Sequence, residues 1–210
     1  MHAGMWIKLN GLMNRPNWHR INLDIADAVK IDLKDYILSD PYREGEHALY
    51  IADKAGVWTL EANTIFKASF LKELFLSHQI QIDLAQIFYR APNYQHPGAH
   101  VDLGQNGDLY GAGLNWTVES DDAEMTWYEM PKIEGTNTKR SETDQNMEWP
   151  IEQLKEIDRL CIGQTPTLVR TDVPHTVDMG NNERWLISAR FLWHWSWDDY
   201  TKTLKGLIIE

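Results

Sequence analysis

Three residues in the second half of the chain have the types and the spacing to hold a metal ion. His100 and Asp102 are two positions apart in a predicted strand, which puts both side chains on one face. His175 lies 73 positions after Asp102 and closes another strand-like run. Two neutral imidazoles and one carboxylate occupy one face of an octahedral ion and leave three positions open. For His100 and Asp102 alone, the alternative is an exposed loop with two polar residues.

Short strands separated by turn residues are expected to position these side chains. From Gln79 onward, apolar and polar residues alternate, as is typical of half-buried strands. The predicted strand segments are QIDLAQIFYRA, AGLNWTVES, AEMTWYEM, PTLVRTDV and RWLISARFLWHW. Five short strands of this kind favour an antiparallel sandwich or barrel.

The first 80 residues have a different pattern. Apolar residues at three- and four-residue spacing predict amphipathic helices over residues 21–37 and about 65–78, and the alternating segment 47–62 between them favours a β-hairpin. We therefore predict a single domain over residues 1–210, in which a mixed helical N-terminal part, about 1–80, packs on a β domain.

Composition narrows the possible binding partners and the cellular compartment. A chain of 210 residues with 43% hydrophobic residues can bury a core without disulfides, and its one cysteine, Cys161, cannot pair within the chain. We expect a cytoplasmic protein. The net charge of −11 argues against nucleic acid as a partner, and no apolar run approaches the roughly 20 residues that a membrane span needs.

Together with a basic residue nine positions after His175, the three candidate ligands resemble the motif set of the iron(II)/2-oxoglutarate-dependent oxygenases. The resemblance covers roughly Gln86 to Trp193. It implies a fold that is mainly β with flanking helices, a double-stranded β-helix of the cupin-like jelly-roll type. It also implies Fe(II) bound by His100, Asp102 and His175, and 2-oxoglutarate as co-substrate. The phrase GLNWTVESDDAEMTWYE is similar to the central strands of the aspartyl/asparaginyl β-hydroxylase-like branch.

The resemblance also implies residues that bind the co-substrate. The family holds the distal carboxylate of 2-oxoglutarate with a basic residue on the strand after the distal His, which implies Arg184. Arg190, six residues further along that strand, faces the same side and is the competing candidate; its other role would be an ion pair. Ser188 shares that face and could add a hydroxyl. Asn115 points away from the large apolar residues of its strand and could hydrogen-bond co-substrate or substrate if that face lines the cavity.

The resemblance implies hydroxylation of a C–H bond in an amino acid, a peptide or a small metabolite. Two alternatives stay open: a cupin-type metal-dependent enzyme that does not use 2-oxoglutarate, and a jelly-roll binding protein with a vestigial site. The sequence also leaves a homo-oligomer open. The polar stretch 131–149 is predicted to be an exposed loop that could act as a lid, and residues 150–160 resemble a short helix.

Overall fold

In the computed structural model, the chain is mainly β. The structure describes residues 16–23, 56–60, 76–77, 82–90, 98–103, 109–117, 123–132, 135–139, 145–178, 181–182, 184–191 and 195–209. The helix predicted over 21–37 lies outside these residues except at 21–23, which are not helical, and the helix predicted over 65–78 is described only at 76–77, which are helical. The hairpin predicted over 47–62 is described only at 56–60, a strand.

Besides the helical residues 76–77, the described residues contain twelve strands and one α-helix. In chain order these are β1 (Trp18–Arg20), β2 (Gly56–Leu60), β3 (Ile82–Arg90), β4 (Ala99–Leu103), β5 (Ala112–Thr117), β6 (Glu124–Tyr128), β7 (Thr136–Lys139), β8 (Gln145–Trp149), β9 (Glu156–Cys161), β10 (Thr167–Arg170), β11 (His175–Asp178), β12 (Arg184–Phe191) and α1 (Trp197–Thr203). All five strand segments predicted from alternation are strands here: β3, β5, β6, β10 and β12.

The strands form two six-stranded sheets. The first has the spatial order β1-β10-β5-β12-β3-β2, and the second has the order β7-β8-β4-β11-β6-β9. All of the pairings are antiparallel. Along the chain, the central strands β3 to β6 and β9 to β12 change sheet at every step except from β6 to β9. This connectivity is the double-stranded β-helix, or jelly roll, so the predicted fold class is confirmed.

Apolar side chains from both sheets meet in the space between them. This cluster contains Met125, Trp127, Ile162, Val169, Val173 and Leu186, with Trp18, Phe88, Leu160 and Val177 packed against it. The indole N–H of Trp127, on one sheet, donates to the carbonyl oxygen of Arg170, on the other, at 2.9 Å. Because Leu186 belongs to the cluster, the residues of β12 that alternate with it also face this inner space, as do their partners on β5.

The prediction of an exposed loop over 131–149 is wrong for most of the residues that the structure describes there. It contains β7 and β8, and β8 pairs with β4 along five residues. Met147 and Trp149 pack with Val101 and Leu103 of β4, so the stretch has an apolar face after all. The alternate residues of β8 are polar, which gave the stretch the composition of a loop. A lid made of the whole stretch therefore has no basis in the structure.

The helix predicted over 150–160 is also wrong. Only residues Ile151–Gln153 form a single 3-10 turn after Pro150, and β9 follows and pairs with β6. Arg159 on β9 forms a cross-strand ion pair with Glu124 on β6 at 2.9 Å. Backbone pairing to a neighbouring strand overrides the local helix propensity of this segment, which is a weak preference.

Two boundaries differ from the sequence prediction. His175 begins β11 instead of closing β10, because residues 171–174 turn the chain from one sheet to the other. At the C-terminus, the strand predicted over RWLISARFLWHW is described as a strand only to Phe191. Trp197 starts α1, where Ser196 and Asp199 form a reciprocal capping box. Within the described residues, no helix has both the length and the apolar character that crossing a membrane requires.

Candidate metal centre

The structure brings His100, Asp102 and His175 together. Potential ligand atoms of the three side chains all lie within 4.8 Å of one another. Asp102 Oδ1 is 3.5 Å from His100 Nε2 and 3.9 Å from His175 Nε2. The two imidazole rings are 4.4 Å apart between centroids and tilted by 50°. Two nitrogen donors and one oxygen donor therefore converge on one point.

Strand register produces this convergence. His100 and Asp102 alternate with three buried apolar residues on β4, so both point to the same face of the sheet. β11 lies next to β4, and His175 is the residue directly opposite His100. A histidine pair at one position of an antiparallel ladder needs only one further ligand to form a three-ligand metal site. Asp102, two positions after His100 on the same face, supplies that ligand.

The surroundings of His175 prepare its Nε2 atom for a metal. Its Nδ1 atom is 3.0 Å from the carbonyl oxygen of Val173, which can only accept, so Nδ1 carries the proton and Nε2 keeps its lone pair. Burial lowers the pKa of His175, and the nearby Asp102 carboxylate opposes this by raising it. The imidazole is therefore held neutral, as a metal ligand must be.

Arg190 reaches the same centre. Its Nη2 atom donates to Asp102 Oδ2, the carboxylate oxygen that is not shared with the two histidines. The guanidinium carbon lies 5.7 Å from the centre of the Tyr110 ring. Arg190 was predicted as a possible co-substrate ligand, with an ion pair as its other role, and the structure places it in an ion pair with a candidate metal ligand.

Further polar side chains line the inner face of the first sheet, next to Arg190. Ser188 pairs directly with Asn115 across β12 and β5, and both are buried. Within the described part of the chain, Ser188 Oγ, Asn115 Oδ1 and Thr117 Oγ1 are buried without a hydrogen-bond partner. Arg184 is on the same face of β12 and is 2% exposed. The oxygens of Ser188, Asn115 and Thr117 are costly to bury unless something binds them.

The order of these residues along β12 separates the two arginines. Six residues of extended strand span about 20 Å, so Arg184 and Arg190 begin far apart on the same face. Arg190 is at the metal ligands, and Ser188 with Asn115 comes next. Arg184 follows on the same face beyond Leu186, which belongs to the apolar cluster. One arginine thus lies at the candidate metal centre, and the other lies further along the same face of β12.

Sequence reasoning missed three residues around the centre. Asn146 pairs with Asp102 and Glu148 pairs with His100 across β4 and β8, so both lie on the face of the candidate ligands. They were overlooked because their segment was interpreted as a loop. The third is Gly113, where an added Cβ would be 2.9 Å from Arg190 Cζ and closer still to Nη1. A glycine inside a strand indicates close approach by another group, and that signal was available.

The residues present fit a divalent metal and an elongated anion. The donor set of two imidazoles and one carboxylate, with one histidine tautomer fixed, is that of a mononuclear site with open positions. The buried Ser188 and Asn115 oxygens and the guanidinium group of Arg184 provide polar contacts along one line that leads away from it.

No protein-family model and no curated protein matches the chain. Among solved structures, it is similar to a prolyl hydroxylase from Trichoplax adhaerens in complex with a hypoxia inducible factor oxygen degradation domain peptide fragment, at 10% identity and a TM-score of 0.49, with 86% of each chain covered.

It is also similar to HygX from Streptomyces hygroscopicus with nickel and 2-oxoglutarate bound, at 9% identity and a TM-score of 0.47, covering 86% of this chain and 84% of that one. A third similar structure is oxalate decarboxylase from Bacillus subtilis, at 11% identity and a TM-score of 0.36, covering 72% of this chain and 29% of the other. At these levels of similarity, the assignment of function rests on the site itself.

Proposed function

We propose that this protein is a non-heme iron(II) and 2-oxoglutarate-dependent dioxygenase that hydroxylates a C–H bond of an amino acid, a peptide or a small metabolite. The observation that carries the proposal is the convergence of His100 Nε2, Asp102 Oδ1 and His175 Nε2 inside a jelly roll. This ligand set occupies one face of the ion and leaves three positions for co-substrate and dioxygen.

The chain's own residues bind and orient the reactants. His100, Asp102 and His175 would hold the metal. The hydrogen bond from His175 Nδ1 to the Val173 carbonyl oxygen fixes the ring so that Nε2 faces the metal position. When bound, ferrous iron and 2-oxoglutarate supply the chemistry: dioxygen and the keto acid give succinate and carbon dioxide as the substrate C–H bond is hydroxylated.

Arg184 is the proposed anchor for the distal carboxylate of 2-oxoglutarate. Its guanidinium group is buried on the inner face of β12, where a planar fork of donors matches a carboxylate. Ser188 and Asn115, between Arg184 and the metal ligands, offer a hydroxyl and an amide to the same molecule. Two carboxylate groups joined by a short chain would make use of every one of these partners.

The substrate is proposed to bind beside β8. Asn146 and Glu148 are the neighbours of Asp102 and His100 on the side away from β11, so they border the metal opposite to the strand of the distal histidine. Asn146 is 2% exposed, and within the described residues its Oδ1 atom has no hydrogen-bond partner. It is therefore available to accept a hydrogen bond from an N–H or O–H group of a substrate.

A cupin-type metal-dependent enzyme that does not use 2-oxoglutarate is the second candidate. The observation that favours it is that Arg190 is already paired with Asp102, which leaves Arg184 as the single proposed anchor for a keto diacid. Such an enzyme needs the three metal ligands alone. It would keep its activity when Arg184 is replaced, whereas the proposed dioxygenase would not.

Succinate formation tests the proposal. Iron-loaded protein prepared without oxygen is mixed with 2-oxoglutarate and exposed to air, because enzymes of this type slowly consume the keto acid without substrate. We expect succinate from wild type and from Arg159→Met, an exposed arginine replaced in the same way as a control. His175→Ala and Arg184→Met should form none. Equal succinate from Arg184→Met would refute the role of Arg184, and none from wild type would favour the cupin-type alternative.

A further inference from the structure

The two oxygens of the Asp102 carboxylate have different neighbours. Oδ1 is the atom that approaches the Nε2 atoms of both histidines, at 3.5 Å and 3.9 Å. Oδ2 points the other way and accepts a hydrogen bond from Arg190 Nη2. One oxygen is therefore directed at the metal position, while the other is occupied by a buried guanidinium group.

The fold makes room for this contact with a glycine on the neighbouring strand, β5. Arg190 is 5% exposed and extends across the inner face of β5, over Gly113. A side chain at position 113 would overlap the guanidinium group, since even a Cβ atom would be 2.9 Å from Cζ and closer to Nη1. Glycine weakens a strand interior, so its presence here indicates that the approach of Arg190 is required.

From this geometry we propose that Arg190 is a positioning residue that holds Asp102 as a one-oxygen ligand of the metal, and that Gly113 is the residue that permits it. The inference rests on the proposed metal site and adds a residue that fixes its geometry. A carboxylate can bind a metal through one oxygen or both. By holding Oδ2, Arg190 fixes the orientation of the carboxylate so that Oδ1 faces the position between the two histidine Nε2 atoms.

The same contact separates the roles of the two arginines of β12. A guanidinium group that is committed to Oδ2 of a metal ligand cannot also anchor the distal end of a co-substrate that extends away from the metal. Replacing Arg190 should therefore alter metal binding first, whereas replacing Arg184 should alter binding of the keto acid to the metal-loaded protein. The two substitutions can therefore be told apart by binding measurements that need no turnover.

The test measures Mn(II) binding by the full chain without 2-oxoglutarate, using electron paramagnetic resonance for both the dissociation constant and the line shape. Variants are Arg190→Gln, Gly113→Ala and the double variant. Removing the positive charge of Arg190 would by itself tighten the binding of a cation. Weaker Mn(II) binding therefore identifies the lost orientation of Asp102 as the cause. We expect each single variant to bind Mn(II) about ten- to hundredfold more weakly, as is usual when an outer partner of a ligand is lost.

Gly113→Ala is the more specific variant because it keeps the charge and displaces mainly the flexible end of Arg190, with Asn115 Oδ1 3.3 Å from the added Cβ. Its matched control is Gly206→Ala, where an added Cβ meets nothing within 4 Å, and which should bind Mn(II) as wild type does. If both substitutions disrupt one contact, the double variant should be no weaker than Arg190→Gln, and all three should share one altered line shape. Thermal unfolding of each metal-free variant checks that the fold is kept.

Unchanged or tighter Mn(II) binding by Arg190→Gln and Gly113→Ala, with the wild-type line shape, would overturn the positioning role and leave the proposed function intact. If Arg190→Gln does not fold, Gly113→Ala alone decides, by the same criterion. Failure of wild type to bind Mn(II) at all would instead overturn the proposed function, and this inference would fall with it. The two failures are therefore distinguishable in one experiment.

Discussion

His100 and His175 are direct partners on neighbouring antiparallel strands, with their ring centroids 4.4 Å apart. The pair joins β4 to β11 at a position where the two strands share only this one matched residue pair. A metal bound between the two rings would connect the strands more strongly than the ladder does. The candidate centre therefore links two strands of the second sheet and is also a candidate site of catalysis.

Metal binding should stabilise the fold through this pair. A ligand that binds only the folded state at about 100 times its Kd raises the free energy of unfolding by about 2.7 kcal/mol. We expect an increase of this size for wild type with Mn(II), measured by thermal or urea unfolding, and none for His175→Ala. The control is His19→Ala, because His19 stacks on Trp197 away from the centre. An equal increase in His175→Ala would place the metal elsewhere.

Arg184→Met should weaken binding of 2-oxoglutarate to the Mn(II)-loaded protein by about ten- to hundredfold. A hydrogen bond to a charged group contributes about 1.5–3 kcal/mol, and methionine keeps the length of the side chain without its donors. Arg184→Lys keeps the charge but not the planar fork, so an intermediate loss is expected. Titration calorimetry measures the affinity. A keto acid affinity that depends on Arg190 but not on Arg184 would reverse the assignment.

Ser188→Ala should have a smaller effect on the same affinity. A neutral hydroxyl contributes about 0.5–1.5 kcal/mol, which corresponds to a several-fold loss. Ser188→Val should be more damaging than Ser188→Ala, because it adds volume to the buried face opposite Asn115. The same calorimetric titration ranks the two variants. If both bind 2-oxoglutarate as wild type does, the co-substrate does not run along β12.

The stability of the metal-free protein should fall in mild acid because of His175. Burial lowers the pKa of His175 in the folded state, so the unfolded chain takes up this proton first as the pH decreases. The loss of stability begins near the ordinary histidine pKa of about 6.5 and continues down to the folded pKa. Urea unfolding between about pH 7 and about pH 5 should show a steeper decline for wild type than for His175→Gln. Identical declines would contradict this account.

Much of the fold could be predicted from local pattern. Alternation found β3, β5, β6, β10 and β12. Most side chains of β5, β6, β10 and β12 are buried, which gives these strands their apolar residues. It failed at β8, where Asn146 and Glu148 face the candidate centre instead of solvent and leave only Met147 and Trp149 as apolar residues. A strand whose polar face lines a site has the composition of a loop.

The candidate ligands could be found from spacing, but their neighbours could not. Alternation correctly put Arg184, Ser188 and Arg190 on one face, and Asn115 on the face opposite to Leu114 and Trp116. It could not show that Arg190 reaches Asp102, because that contact joins residues 88 positions apart and depends on the space left at Gly113. Pairing between distant segments decides such contacts, and local sequence does not record it.

Binding of 2-oxoglutarate to the iron-loaded protein without oxygen tests the central claim most directly. A keto acid that chelates ferrous iron gives a visible charge-transfer absorption, which requires the metal and the co-substrate in one site. We predict that this absorption appears in wild type and saturates at one 2-oxoglutarate per chain, and that it is absent in His175→Ala. Iron-loaded wild type that shows no such absorption at saturating 2-oxoglutarate would contradict the account.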